Sequence, residues 1–197
     1  MGRPVDLDRV TAALQGAAAR PSSDYDLNPG ISLPAGRTLR PAAVLVGVLD
    51  EAVILTKRAS HLQNHPGQIA FPGGKVDAGD AAATVAALRE AQEEIGLDPG
   101  NVRLLAELPG HETVTGYMVT PVLARIERAF TPVPEAGEVA EVFRVPLPLL
   151  MDPARYRVER RRWRGIWRYY YVVPHGPYYI WGATARMLKS LADRVAP

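Results

Sequence analysis

The chain has 197 residues, 47% hydrophobic and 22% charged, which excludes wholesale disorder and a fibrous repeat and leaves enough apolar material for one sizeable core. It has no cysteine, so disulfide frameworks, thiolate metal sites and cysteine nucleophiles are excluded. Its 23 basic and 21 acidic residues leave a net charge of +2, too small by itself to argue for a nucleic-acid partner.

In chain order, Leu7, Val10 and Leu14 with interspersed alanines predict a short helix over Asp6–Arg20. Residues 21–38, with Pro29, Gly30, Pro34 and Gly36, read as an irregular link. Two β-rich runs, Ala42–Leu49 and Val53–Thr56, flank Asp50-Glu51-Ala52 and predict a hairpin. Gln68–Phe71 reads as a short strand that Pro72-Gly73-Gly74 interrupts. Ala81–Ile95 is a helix stopped by Gly96. Val102–Leu108 and Tyr117–Ile126 read as strands, and Thr131–Gly137 as a proline-containing loop. Arg155–Tyr171 packs seven arginines, two tryptophans and four tyrosines around Gly165 and predicts a long hairpin. Tyr178–Trp181 adds a strand and Ala183–Val195 a closing helix. Interleaved elements without a repeating βαβ order predict an α+β chain, an α/β/α sandwich with a mixed sheet. Residues 1–36 are taken as an N-terminal helix and linking segment and 37–197 as the main domain, one globular unit overall.

The longest apolar run, Ala42–Leu49, is far short of the ~20 residues a spanning helix needs. No export or lipidation pattern stands at either end. A cytoplasmic location and no membrane partner are therefore expected.

The helix ending Arg89-Glu90-Ala91-Gln92-Glu93-Glu94-Ile95-Gly96 carries the chemical signal. Residues three and four apart share a helix face, so Glu90, Glu93 and Glu94 fall within an arc of roughly 100°. Val85, Leu88, Ala91 and Ile95 form the opposite, apolar arc. Three carboxylates near a helix C-terminus repel one another and oppose the macrodipole. A hard divalent cation removes that penalty, and Gly73-Gly74 lets a backbone carbonyl approach it. Oxygen donors of this kind suit Mg²⁺ or Mn²⁺, which neutralise phosphate oxygens. The competing interpretation is a solvated acidic face.

The package from Gly74 to Leu97 resembles the box of the Nudix hydrolase family, G-x5-E-x7-R-E-U-x-E-E-x-G-U, where U is apolar. Gly74, Arg89, Glu90, Glu93, Glu94, Gly96 and Leu97 match, with Ala91 as a small U. The departures are Asp80 for glutamate and eight residues rather than seven before Arg89. The resemblance implies the Nudix fold with its box helix. It also implies hydrolysis of a diphosphate linked to another group, with Glu90, Glu93, Glu94 and the Gly74 carbonyl on the metal and Arg89 orienting the glutamates.

The preceding stretch, Ile54–Gly74, resembles the signature of the coenzyme A pyrophosphatase branch, L-L-T-x-R-[SA]-x3-R-x3-G-x3-F-P-G-G. Leu55, Thr56, Arg58, Ala59, Gly67, Phe71, Pro72, Gly73 and Gly74 fit, and Gln63 replaces an arginine. The resemblance implies a CoA-like diphosphate as the small-molecule substrate, cleaved to 3′,5′-ADP and 4′-phosphopantetheine, with Arg58 and Gln68 contacting it. A general base is still needed. Glu138 is favoured, Glu141 comes second, and a box glutamate is the alternative. The Arg155–Arg168 cluster fits a 3′-phosphate, a solvated hairpin or a homodimer contact, and a nucleic-acid partner is not expected. Gln63 keeps ADP-ribose, dinucleotides and damaged nucleotides open as substrates. A non-catalytic nucleotide sensor is the rival outside catalysis.

Overall fold

The computed structural model describes residues 5–15, 20–31, 33, 36–163 and 165–196. Its elements are α1 (Leu7–Leu14), β1 (Ser22–Ser23), β2 (Arg40–Leu49), β3 (Ala52–Arg58), β4 (Ile69–Ala70), β5 (Gly73–Lys75), α2 (Ala83–Ile95), β6 (Val102–Glu107), β7 (His111–Glu112), β8 (Tyr117–Ile126), β9 (Val139–Pro146), α3 (Leu147–Leu150), β10 (Arg157–Trp163), β11 (Ile166–His175), β12 (Tyr178–Trp181) and α4 (Gly182–Val195).

Strand β2 sits at the centre because both of its faces are apolar. Ala42, Val46 and Val48 enter one core, and Ala43, Leu45 and Leu49 enter the other. A strand buried on two faces reads as a continuous apolar run. β8 lies parallel to it from Arg40↔Tyr117 to Val48↔Arg125. α2 covers one face, setting Ala86, Ala87, Ala91 and Ile95 against Ala43, Leu45, Val122 and Ala124. α4 and α1 cover the other with Leu188, Leu191, Val195, Leu7 and Val10. The result is the expected α/β/α sandwich around a mixed sheet. Each fully buried leucine-sized side chain in these cores contributes about 1.5–3 kcal/mol.

The β2–β3 hairpin differs from the expected one. The strands pair only at Val48↔Val53 and Leu49↔Ala52, around Asp50-Glu51 with φ of 49° and 55°. Such a two-residue turn matches the twist of the flanking strands. Beyond it β2 and β3 part, and residues 69–75 fill the fork. β4 pairs with β3, whose other edge takes β9, and β5 pairs with β2 through Ala43↔Gly74 and Val44↔Gly73. Pro72-Gly73-Gly74 therefore does not interrupt regular structure but runs into a strand. A Cβ at Gly73 would stand 2.4 Å from the Ala43 carbonyl oxygen, so only glycine lets β5 lie this close.

The N-terminal segment is built into the sandwich. Asp6 caps α1 by accepting the Arg9 N–H at 2.9 Å, and the helix ends at Leu14 rather than Arg20. Residues 16–19 of the expected helix lie outside the described residues. β1 pairs in parallel with β7. There Ser22 Oγ shares a hydrogen bond with His111 Nδ1 at 2.9 Å, and His111 Nε2 meets Asp24 Oδ1 at 3.2 Å. The residue types are those of a hydrolytic triad. However, His111 is fully buried, the Ser22 N–H is spent on the Gly110 carbonyl, and Asp24 also accepts the Val114 N–H. The trio pins the N-terminal segment to the sheet edge.

A second sheet, β10-β11-β12, packs on the α4 side. The hairpin expected around Gly165 is present, with Gly165 at φ 82°. Phe143 of β9 stacks on Tyr178 of β12 at 3.7 Å and 6°, joining the two sheets. Asn28 donates to the Tyr169 carbonyl and accepts the Tyr169 N–H, each at 2.9 Å, so its side chain stands in for a strand partner of β11.

Candidate active site

α2 forms from an alanine-rich sequence of high helix propensity. It stops at Gly96, which takes the left-handed conformation at φ 68°. The last carbonyls of a helix lack intrahelical partners. Here the following loop supplies them: Val133 N–H donates to Ile95 O at 3.0 Å and Glu135 N–H to Glu94 O at 2.9 Å. The loop that leads to Glu138 is thereby fastened to the end of the acidic helix.

The buried side of α2 is not the arc expected from spacing. Val85 is 43% exposed, whereas Ala86, Ala87, Ala91, Ile95 and Glu94 are buried. The small alanines let the helix settle close to β2 and β5, which carries Glu94 inward with them. There the Gly73 N–H donates to Glu94 Oε2 at 3.1 Å. Burial pushes the Glu94 carboxyl up to about 7, against the pull of the Gly73 bond. The negative charges of Glu90 and Glu138 push it the same way, and Arg58 opposes them. Burial also raises Glu90 above the usual carboxylate range, although its bond to Arg89 works against this. Glu90, Glu94, Glu138 and Arg58 therefore belong to one electrostatic neighbourhood.

Arg89 organises the outer rim. Its Nε and Nη2 donate to the two oxygens of Asp80 at 3.2 and 3.0 Å, a forked pairing. Nη1 donates to Glu90 Oε1 at 3.0 Å and Glu93 Oε2 at 3.2 Å, and Nη2 also reaches the Lys75 carbonyl at 3.1 Å. The Arg89 guanidinium holds Asp80 below the usual carboxylate range. The bond to Asp80 in turn strengthens the guanidinium's hold on its proton. The aspartate that departs from the box thus still reaches the arginine.

Gly74 lies directly under this cluster. A Cβ there would stand 2.5 Å from the Glu90 carboxyl carbon and Oε1. The glycine ribbon and the glutamate occupy adjoining space that no other residue leaves free.

The remaining expected residues are placed as follows. Arg58 ends β3, where its N–H donates to the Gln68 carbonyl at 2.9 Å. The Gln68 amide extends to the start of α4, its Nε2 3.7 Å from where a Gly182 Cβ would be. No described contact takes it to the carboxylates. Glu138 is exposed just before β9, its carbonyl accepting the Ala59 N–H at 2.8 Å. Glu141 shares a strand face with Phe143, on the α4 side, and accepts the Tyr178 hydroxyl. That side is opposite α2, whereas the Glu138 charge acts on Glu90 and Glu94 of α2.

Among the described residues no three acidic or histidine side chains form a ready-made metal cage. The donor chemistry nonetheless fits a hard cation. Every candidate donor is an oxygen, Glu90 and Glu94 are both destabilised as anions by burial, and Glu90, Glu93 and Glu94 each use one carboxylate oxygen on Arg89 or Gly73. The close approach of Gly74 to Glu90 and the inward turn of Glu94 were not readable from spacing. The alanines at 86, 87 and 91 are the signal that points to it.

A family model described as NUDIX domain matches residues 38–164. A protein from Enterobacter sp. (strain 638) named "Uncharacterized Nudix hydrolase NudL" is 41% identical over 163 residues, spanning 79% of this chain and 83% of that protein. A Salmonella paratyphi B protein of the same name matches with the same identity and coverage. Among solved structures, the Nudix hydrolase RenU from M. smegmatis is 27% identical over 56% of this chain and 71% of that one, with a TM-score of 0.42. The family model and the curated relatives define a hydrolase of nucleoside diphosphate derivatives. The chain belongs to the Nudix hydrolase family.

Proposed function

We propose that the protein hydrolyses the diphosphate of coenzyme A and its derivatives, giving 3′,5′-ADP and 4′-phosphopantetheine, with Mg²⁺ or Mn²⁺ as cofactor. One observation carries the reading. The Ile54–Gly74 stretch that resembles the CoA pyrophosphatase signature is a single continuous segment in which Arg58 and Gly73 both act on the Glu94 carboxylate.

In this reading Gly74, through its carbonyl, and Glu90, Glu93 and Glu94 hold the metal. When bound, the cation supplies charge neutralisation on the diphosphate oxygens. Arg89 orients Glu90 and Glu93, and Asp80 holds Arg89 in place. Arg58 binds the diphosphate by charge-assisted hydrogen bonds, and Gln68 contacts the substrate from the α4 side. Glu138 takes a proton from the attacking water. The water oxygen forms the new bond to one phosphorus, the bond from that phosphorus to the bridging oxygen breaks, and the electron pair leaves with the second phosphate. Residues 37–197 are the catalytic domain in this reading.

The test is a chromatographic assay of CoA, oxidised CoA, ADP-ribose, a dinucleoside polyphosphate and a nucleoside triphosphate with Mg²⁺ or Mn²⁺. CoA should be cleaved fastest. Glu93→Gln should abolish turnover, and Glu138→Gln should lower it by about 10²–10⁴-fold. Gln63, standing where the signature has arginine, favours ADP-ribose or a dinucleotide as the second reading; preferential cleavage of either would replace CoA. Binding without metal-dependent turnover of any compound would make the protein a sensor and reject the enzymatic reading.

A further inference from the structure

The β10–β11 hairpin takes no part in the chemistry described above. β10 is the outer strand of its sheet, pairs with β11 alone, and exposes every one of its residues. The ribbon concentrates charge. Residues 155–171 carry seven arginines and one glutamate, while the whole chain is only +2, so the rest of the molecule is net negative. Glu159 accepts the Tyr179 hydroxyl at 2.6 Å. Among the described residues, Arg157, Arg160, Arg161, Arg162 and Arg168 form no ion pair with a carboxylate.

The tip is apolar as well as basic. Trp163 pairs with Ile166 across the turn, and Arg162 with Trp167. Ile166 is 56% exposed, Trp167 50% and Trp163 40%, with Val158 at 51% further down the ribbon. Exposed apolar side chains gathered at a hairpin tip, Trp163 and Ile166 on one face of the ribbon and Trp167 on the other, mark an interaction site.

Three kinds of partner compete. A second copy of the ribbon would bring like charges together along its whole length. Single-stranded nucleic acid would stack bases on the rings, but Arg160 lies over Trp167 at 4.6 Å and Arg168 over Trp163 at 5.1 Å, and Val158 and Ile166 have nothing to offer a base. An anionic bilayer uses every feature. Tryptophan favours the headgroup level, isoleucine the acyl boundary, and arginine extends to the phosphates with its stem in apolar surroundings.

We propose that the β10–β11 hairpin docks the protein on an anionic lipid bilayer, with Trp163, Ile166 and Trp167 entering the interface and the arginines neutralising headgroup phosphates. Surface docking needs no spanning segment, and no described helix is long and apolar enough to cross a membrane. Docking of this kind departs from the expectation of no membrane partner, which rested on the lack of a spanning run and of a lipidation pattern.

The experiment is co-sedimentation of the full chain with phosphatidylcholine vesicles and with mixed phosphatidylcholine–phosphatidylglycerol vesicles, at low and high salt. The protein should sediment with the mixed vesicles alone, with a blue shift of tryptophan emission, and be released by salt. A triple variant, Arg160→Ser, Arg161→Ser and Arg162→Ser, should weaken binding by about tenfold or more. Ile166→Ser with Trp167→Ser should weaken it comparably without changing the melting temperature; Ile166→Ser alone serves if the double variant misfolds. No binding of the wild type to mixed vesicles overturns the proposal. So does binding that survives both sets of substitutions, retention of a single-stranded oligonucleotide in place of vesicles, or a light-scattering dimer that the tip substitutions dissolve.

Discussion

Replacing Gly74 by alanine separates the geometry of the site from the stability of the fold. The new Cβ would stand 2.5 Å from the Glu90 carboxyl carbon, where ordinary contact begins at 3.4 Å. The obstacle is the end of a flexible side chain, so Glu90 yields by roughly 1 Å while the backbone stays in place. A displacement of that size at a positioned group costs about 10²-fold in rate, or about 2.7 kcal/mol of barrier. Gly73→Ala meets something different. Its Cβ would collide with the Ala43 carbonyl oxygen at 2.4 Å and the Val44 Cα at 2.6 Å, both of them backbone. That variant should lose about 1–3 kcal/mol of stability. At about 2–4 °C per kcal/mol its melting temperature should fall accordingly. The assay pairs metal-dependent kcat/KM on a diphosphate substrate with thermal melting of both variants. Wild-type turnover in Gly74→Ala, or equal destabilisation by both substitutions, would refute the reasoning.

Two further outcomes follow from buried polar groups. In the EDTA-treated protein Glu94 holds its proton up to about 7 against a usual 4.5, so its contribution to stability falls as pH rises from about 4.5 through 7. The loss amounts to about 3 kcal/mol above pH 7. Urea unfolding of wild type and Glu94→Gln at pH 5 and pH 8 should show a steeper loss in the wild type, the variant keeping only the smaller slope that Glu90 contributes, and parallel curves would contradict it. His111→Ala leaves Ser22 and Asp24 without a shared partner and opens a cavity at the sheet edge, so it should cost about 2–4 kcal/mol in the same unfolding experiment. A loss below about 1 kcal/mol would show that the trio is not a structural pin.

The helix, its stop and its three carboxylates were legible because a period of 3.6 and a terminal glycine are local properties. Strand β8 and the β10–β11 hairpin were legible for the same kind of reason: alternation and a turn residue. Long-range effects were not. Gly73-Gly74 reads locally as an interruption, yet a glycine ribbon is what the gap between β2 and β3 admits. β1 and β7 are two residues each and carry no period of their own. They exist because Ser22, Asp24 and His111 find one another across the chain. Spacing alone set Val85 in the apolar face, but the close packing of Ala86, Ala87 and Ala91 rotated the buried side toward Glu94. The sequence favours Glu138 over Glu141 without placing either: Glu141 accepts the Tyr178 hydroxyl on the α4 side, whereas the charge of Glu138 acts on Glu90 and Glu94.

The most direct measurement is a calorimetric titration of Mn²⁺ into the full chain and into Glu90→Gln and Glu94→Gln, with folding checked by circular dichroism. Carboxylates gathered beside the Gly73-Gly74 ribbon predict saturable binding in the wild type and a loss of about tenfold or more in each variant. Unchanged affinity in both folded variants would contradict the account.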